Sequence, residues 1–141
     1  MKKIFQYFFM IIGVVTLTGC ASLQSSKSPG ADISVCKTFY VQKQPKDARG
    51  IDKIISDRLN VMGFQSTCGI DETPPKQVDA IVTYVDKWMW DMTMYMLQLN
   101  IQMRDGKTRM IMANGQSYRP SLQRRSPERM VKEVLDEMLK K

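Results

Sequence analysis

The feature that most constrains this chain is a run of 27 residues, 78–104, that contains neither glycine nor proline. As a single strand, at about 3.3 Å per residue, it would extend roughly 90 Å, longer than a domain of this size can house. The run must fold back on itself, and the reversal is expected between Asp86 and Thr93, although no Gly, Pro or Asn marks it. Beyond it Leu97, Leu99, Ile101 and Met103 alternate with Gln98, Asn100, Gln102 and Arg104, the pattern of a half-buried strand. Asp105-Gly106 then predicts a hairpin through a tight type I′ turn. Residues 107–113 return as the next strand, which Asn114-Gly115 ends or bulges.

The flanking segments supply the other layer. Residues 33–41 read as a first strand, with Pro45 after it. Ala48, Ile51, Ile55, Leu59 and Met62 recur at helical spacing before Gly63, which predicts an amphipathic helix over 46–62. A short strand over 64–70 and a loop over 71–77 follow. Ser126-Pro127-Glu128 is a helix start, and Val131, Val134, Leu135 and Met138 make its apolar stripe. The expected fold is α+β, in the order β-α-β-β-β-β-α, a two-layer sandwich with two helices packed on one face of a mostly antiparallel sheet. At 43% hydrophobic and 25% charged, the composition is that of one small globular domain, over 32–141.

The N-terminus gives an address. Lys2-Lys3 precede an apolar run over 4–15, too short to span a bilayer and suited to a secretory signal. Leu17-Thr18-Gly19-Cys20 resembles the lipobox of bacterial lipoproteins, which implies that residues 1–19 are removed and that Cys20 carries the lipid. In lipoproteins an Asp after the acylated cysteine commonly retains the protein in the inner membrane. Here Ala21 and Ser22 follow, so the resemblance implies the outer membrane, on its periplasmic face. Residues 20–31, Ser-rich and closed by Pro29-Gly30, are expected to be a flexible tether. Loss of Lys2 and Lys3 takes the net charge from +7 to +5. Such mildly basic proteins suit a surface near anionic lipid, and no basic stripe interleaved with aromatics points to nucleic acid.

Cys36 and Cys68 remain as an even pair for an oxidising compartment, and a disulfide between them is expected. Buried free thiols and a redox or metal role are the alternatives, the last weakened by the absence of a Cys-x-x-Cys spacing and of any histidine. The missing histidine also removes His-dependent triads and the commonest general base. The acidic residues are scattered, so neither a catalytic constellation nor a cofactor is expected.

Residues 88–96 hold both tryptophans and four of the twelve methionines. Trp88 and Trp90 share a strand face, with Asp91 pointing the other way or closing the turn. Core packing, a recognition surface for a partner and a Cu(I) site of soft thioethers are the three readings of this segment. Arg124, Arg125 and Arg129 cluster before and within the start of the last helix. They form either a solvated loop or a grip for lipid A phosphates, phospholipid heads or an acidic partner.

Thr83-Tyr84, Trp88-x-Trp90-Asp91, Met94-Tyr95-Met96 and Asp105-Gly106 together resemble a family of small Gram-negative outer-membrane lipoproteins named after an uncharacterised Shewanella protein. The resemblance covers roughly residues 33–139 and implies an address and a topology but transfers no catalytic residue. The topology is also similar to that of lipoproteins assisting larger envelope machines. The function expected is a non-enzymatic binding or assembly module, lipid-anchored and docking on an envelope protein. A lipid or lipopolysaccharide transport auxiliary and a toxin-neutralising immunity lipoprotein are the alternatives.

Overall fold

A computed structural model describes residues 19–74 and 76–140. The lysines and apolar run of the expected signal lie outside the described residues. Eight elements follow one another: β1 (Ser22–Lys27), β2 (Thr38–Gln42), α1 (Ile51–Val61), β3 (Gln65–Gly69), β4 (Ala80–Asp91), β5 (Thr93–Asp105), β6 (Ile111–Tyr118) and α2 (Pro127–Met138). The strands form one sheet in the order β1-β6-β5-β4-β2-β3. β2 runs parallel to β3 and β4, and the remaining pairs are antiparallel. Phe39, Val41, Val82, Leu99, Ile101 and Met103 face Ile51, Ile55 and Leu59 of α1 and Met130, Val134 and Leu135 of α2 in one core.

This corrects the expected fold in two respects: the sheet has six strands rather than five, and it is mixed. The additional strand is β1, which occupies the segment expected to be a flexible tether. Its sequence, SLQSSK, has no apolar alternation. It joins the sheet through main-chain pairing with β6, from Ser22 opposite Tyr118 to Lys27 opposite Ala113. Parallel pairing arises because β2, α1 and β3 form a crossover unit and β4 then joins the other side of β2.

Local corrections have identifiable causes. The expected first strand over 33–41 is divided: Ile33–Val35 form a 3-10 turn whose cap, Asp32, accepts from the Ser34 N–H at 2.9 Å. α1 begins at Ile51 rather than 46 because the Asp47 carboxylate gathers the N–H groups of Arg49, Gly50 and Ile51 at 2.7–2.9 Å. The β5–β6 connection is not a two-residue turn. It spans 106–110, with the Asp105 carboxylate accepting from the N–H groups of Lys107 and Thr108 and with Arg109 at φ 61°. Asn114-Gly115 neither ends nor bulges β6: Gly115 lies mid-strand, where a Cβ would stand 2.5 Å from the Met138 sulfur and 2.7 Å from Val134 Cγ1. The glycine lets α2 approach the sheet.

The expected disulfide is absent, and Cys36 and Cys68 are free thiols. Register explains this. Cys68 pairs with Val41, five residues beyond Cys36, which is about 16 Å along parallel strands and far outside the Cα separation of a disulfide. Burial pushes both thiols above their ordinary range, helped by Asp79 near Cys36 and by Asp52 near Cys68. Protonated thiols are poor nucleophiles at neutral pH.

Strand and helix lengths do not match, and this shapes the surface. β4 and β5 have 12 and 13 residues, about 40 Å each, whereas helices of 11 and 12 residues reach only about 17 Å. The helices cannot cover the whole hairpin, so one end of it projects.

Candidate functional site

The projecting end is the β4–β5 turn. The chain reverses on a single residue, Met92, at φ 58°, between Asp91 and Thr93, which pair with each other. A register shift between Lys87 and Trp88 leaves Leu97 as an extra residue on β5. Before the shift Leu99 and Ile101 face the core, and after it Met96 does. The bulge therefore re-aims the end of β5 so that Met96 pairs with Trp88, and Met94 with Trp90.

The two tryptophans share a face but not an environment. Trp88 is half-buried, with the Arg49 guanidinium 4.0 Å over its ring and its indole N–H donated to Asp86 at 2.5 Å. Trp90 is 70% exposed. Around it Met89, Met92 and Met94 are also exposed, Met92 at 86%. Leu122, in the 3-10 turn Ser121–Gln123, is 93% exposed. Thioethers line both sides of the turn.

Of the three candidate arginines, Arg124 is already engaged. Its guanidinium donates to the Asp91 carbonyl at 2.7 Å, to the Asp91 carboxylate at 3.2 Å and to Thr93 Oγ1 at 2.6 Å, and stacks 4.5 Å over the Tyr95 ring. The Ser121 hydroxyl donates to the same carboxylate. Arg124 and Asp91 thus lock the turn and are not open to an external anion. Arg125 and Arg129 remain exposed, the latter in the first turn of α2. Cys20 is exposed two residues ahead of β1.

Carboxylates hold the fold along the rest of β4, the buried Asp47 beside its middle and the exposed Asp79 at the end opposite the turn. Asp47 accepts the Tyr84 hydroxyl at 2.7 Å as well as the α1 N–H groups. Burial would raise its pKa, but these hydrogen bonds outweigh it and hold the carboxyl below 3.8. Burial and the Asp47 carboxylate in turn push the Tyr84 hydroxyl far above the usual tyrosine range. The Asp79 carboxylate accepts the N–H groups of Lys37 and Thr38 at 2.9 Å and is likewise held low. Gly106 belongs to this end, because a Cβ there would collide with the Val78 carbonyl.

A surface that the sequence does not single out is the face of the sheet away from the helices. Gln24, Thr83, Asn100, Gln102, Asn114 and Gln116 line an open depression of ≈ 460 Å³ there. Its amides are linked: Arg104 Nε donates to Gln102 at 2.7 Å, and Gln102 Nε2 donates to Asn114 at 2.8 Å. The alternation of Gln98, Asn100 and Gln102 was the available signal, but one strand cannot show that its neighbours add amides beside it.

No protein-family model matches the chain, and no curated protein matches it significantly. Solved structures do share the fold. The chain superposes on the PelC dodecamer protein of Paraburkholderia phytofirmans with TM-score 0.64 at 10% identity, over 84% of this chain and 98% of that one. A substituted form of the same protein gives TM-score 0.61 at 11% identity, over 82% and 95%. A PDZ domain protein of Parabacteroides distasonis gives TM-score 0.55 at 10% identity, over 84% of this chain and 35% of that one. At such identities the likeness is one of fold alone.

Proposed function

We propose that this protein is a lipid-anchored, non-enzymatic binding module of the outer membrane, held by Cys20, that docks a polar protein of the envelope onto the open face of its sheet. The observation that carries this reading is the amide-lined depression on that face. Half-buried Asn and Gln side chains, with Arg104 bonded at their edge, offer donors and acceptors side by side, which suits recognition of another polar surface rather than bond-making. The lipobox supports the address and the resemblance to the Shewanella-named lipoproteins supports the class. Anchoring raises the local concentration of the module at its place of work, so that modest complementarity is enough.

The test is a photoreactive residue in place of Asn100 in living cells. A discrete protein adduct is expected, lost when Gln102 and Asn114 are both replaced by Arg, with the amount of protein in the outer membrane unchanged. A diffuse pattern, or an adduct indifferent to those charges, contradicts the reading.

A further inference from the structure

We propose that the β4–β5 turn is a membrane-docking element, seating Trp90, Met92 and Met94 in the lipid interface beside the Cys20 anchor. This deepens the anchored reading above and rests on it. Register sets the level of the anchor. Ser22 of β1 lies opposite Tyr118 of β6, Tyr118 opposite Gln98 of β5, and Gln98 opposite Lys87 of β4. The alignment persists toward the N-terminus: the Arg119 N–H bonds the Leu97 carbonyl at 2.8 Å, and a Cβ on Gly19 would touch Pro120 at 3.6 Å. Cys20 therefore sits about level with the pair Trp88–Met96, at the same end of the sheet as the turn. Met92 stands four residues farther out, about 13 Å along the strand.

The composition of that end fits a bilayer. Trp90 at 70% exposure, Met92 at 86% and Leu122 at 93% gather apolar area that neither helix covers. Tryptophan is a side chain that favours the headgroup boundary, where its ring is buried and its N–H stays wet. The charge also matches: Lys87, Arg125 and Arg129 are exposed around the turn, with Glu128 against them, while Asp91 is neutralised by Arg124. The far end carries Asp32, Asp79 and Asp105 together with Lys37, Lys107 and Arg109, so the attraction to anionic lipid rests on the exposed basic groups around the turn itself. A turn locked by Arg124 needs no ordering on insertion, and the anchor beside it makes insertion intramolecular.

The test uses the full acylated protein with Trp88→Phe, which leaves Trp90 as the reporter, on phosphatidylethanolamine–phosphatidylglycerol vesicles. Intact mass reports the anchor, and quenching by lipids brominated near the headgroup end of the acyl chain reports the docking. The expected result is a blue-shifted emission quenched roughly twofold, with the companion Met92→Asp variant losing most of that quenching while staying acylated. Acylated protein whose Trp90 keeps a water-like emission, or whose Trp90 instead crosslinks to a protein, overturns the docking alone. A mass without acyl chains overturns the anchor and the docking with it.

Discussion

Trp88 and Trp90 are two residues apart on one strand face, and their surroundings differ in almost every respect. Trp88 is roofed by Arg49 and tied to Asp86, within reach of the chain that leads into α1. Trp90 lies past the reach of both helices and is largely bare. The difference teaches that in this fold exposure is set by lengths: a strand advances about 3.3 Å per residue and a helix 1.5 Å, so paired elements of equal residue number cannot cover each other. The covered part of β4 carries stability, and the uncovered part carries exposed apolar side chains.

That division can be broken from the covered side first. Asp47→Ala removes the acceptor of the Arg49, Gly50 and Ile51 N–H groups that lead into α1 and of the buried Tyr84 hydroxyl, and is expected to cost about 3 kcal/mol in urea unfolding. Trp88→Ala should cost about 2 kcal/mol, whereas Trp90→Ala should change stability by less than about 0.5 kcal/mol, a contrast that thermal melts of the two variants measure side by side. Arg124→Ala joins the two regions. It should cost at most about 1 kcal/mol globally and yet speed amide exchange selectively over residues 91–95.

Acid sharpens the same comparison. The folded pKa of Asp47 lies below the ordinary 3.8, so on acidification the unfolded chain takes up its proton first. The stability contributed is complete above the unfolded value and is lost as pH falls through the folded one. Asp79, also held low, adds in the same direction. Urea midpoints should therefore fall steeply below about pH 4, and the slope should flatten in Asp47→Asn. Variants at Trp90 should keep the parent's slope, since they leave Asp47 and Asp79 with their partners.

Legibility in the sequence followed the strength of the apolar pattern. The second half of the long hairpin shows in Leu99, Ile101 and Met103, with the bulge taking Leu97 out of the alternation, and α2 shows in its Ser126 cap and its stripe from Val131 to Met138. β1 was hidden because SLQSSK carries no apolar alternation and joins the sheet by main-chain pairing with β6. The cysteine pair misled because an even count carries no register, and register places Cys36 and Cys68 on different levels. Three neighbouring arginines look alike in sequence, and only the tertiary fold shows Arg124 spent on Asp91 while Arg125 and Arg129 stay open. The projecting turn was within reach of arithmetic, from the strand and helix lengths. The amide face was not, because it is assembled from β1, β4, β5 and β6 together.

The central claim is that the two surfaces have different occupants, lipid at the turn and protein on the open face. A photoreactive residue placed in turn at position 90 and at position 100 in living cells tests it in one measurement. The account predicts phospholipid adducts on the peptide containing position 90 and a discrete protein adduct from position 100. A protein adduct from position 90 with none from position 100 would contradict it.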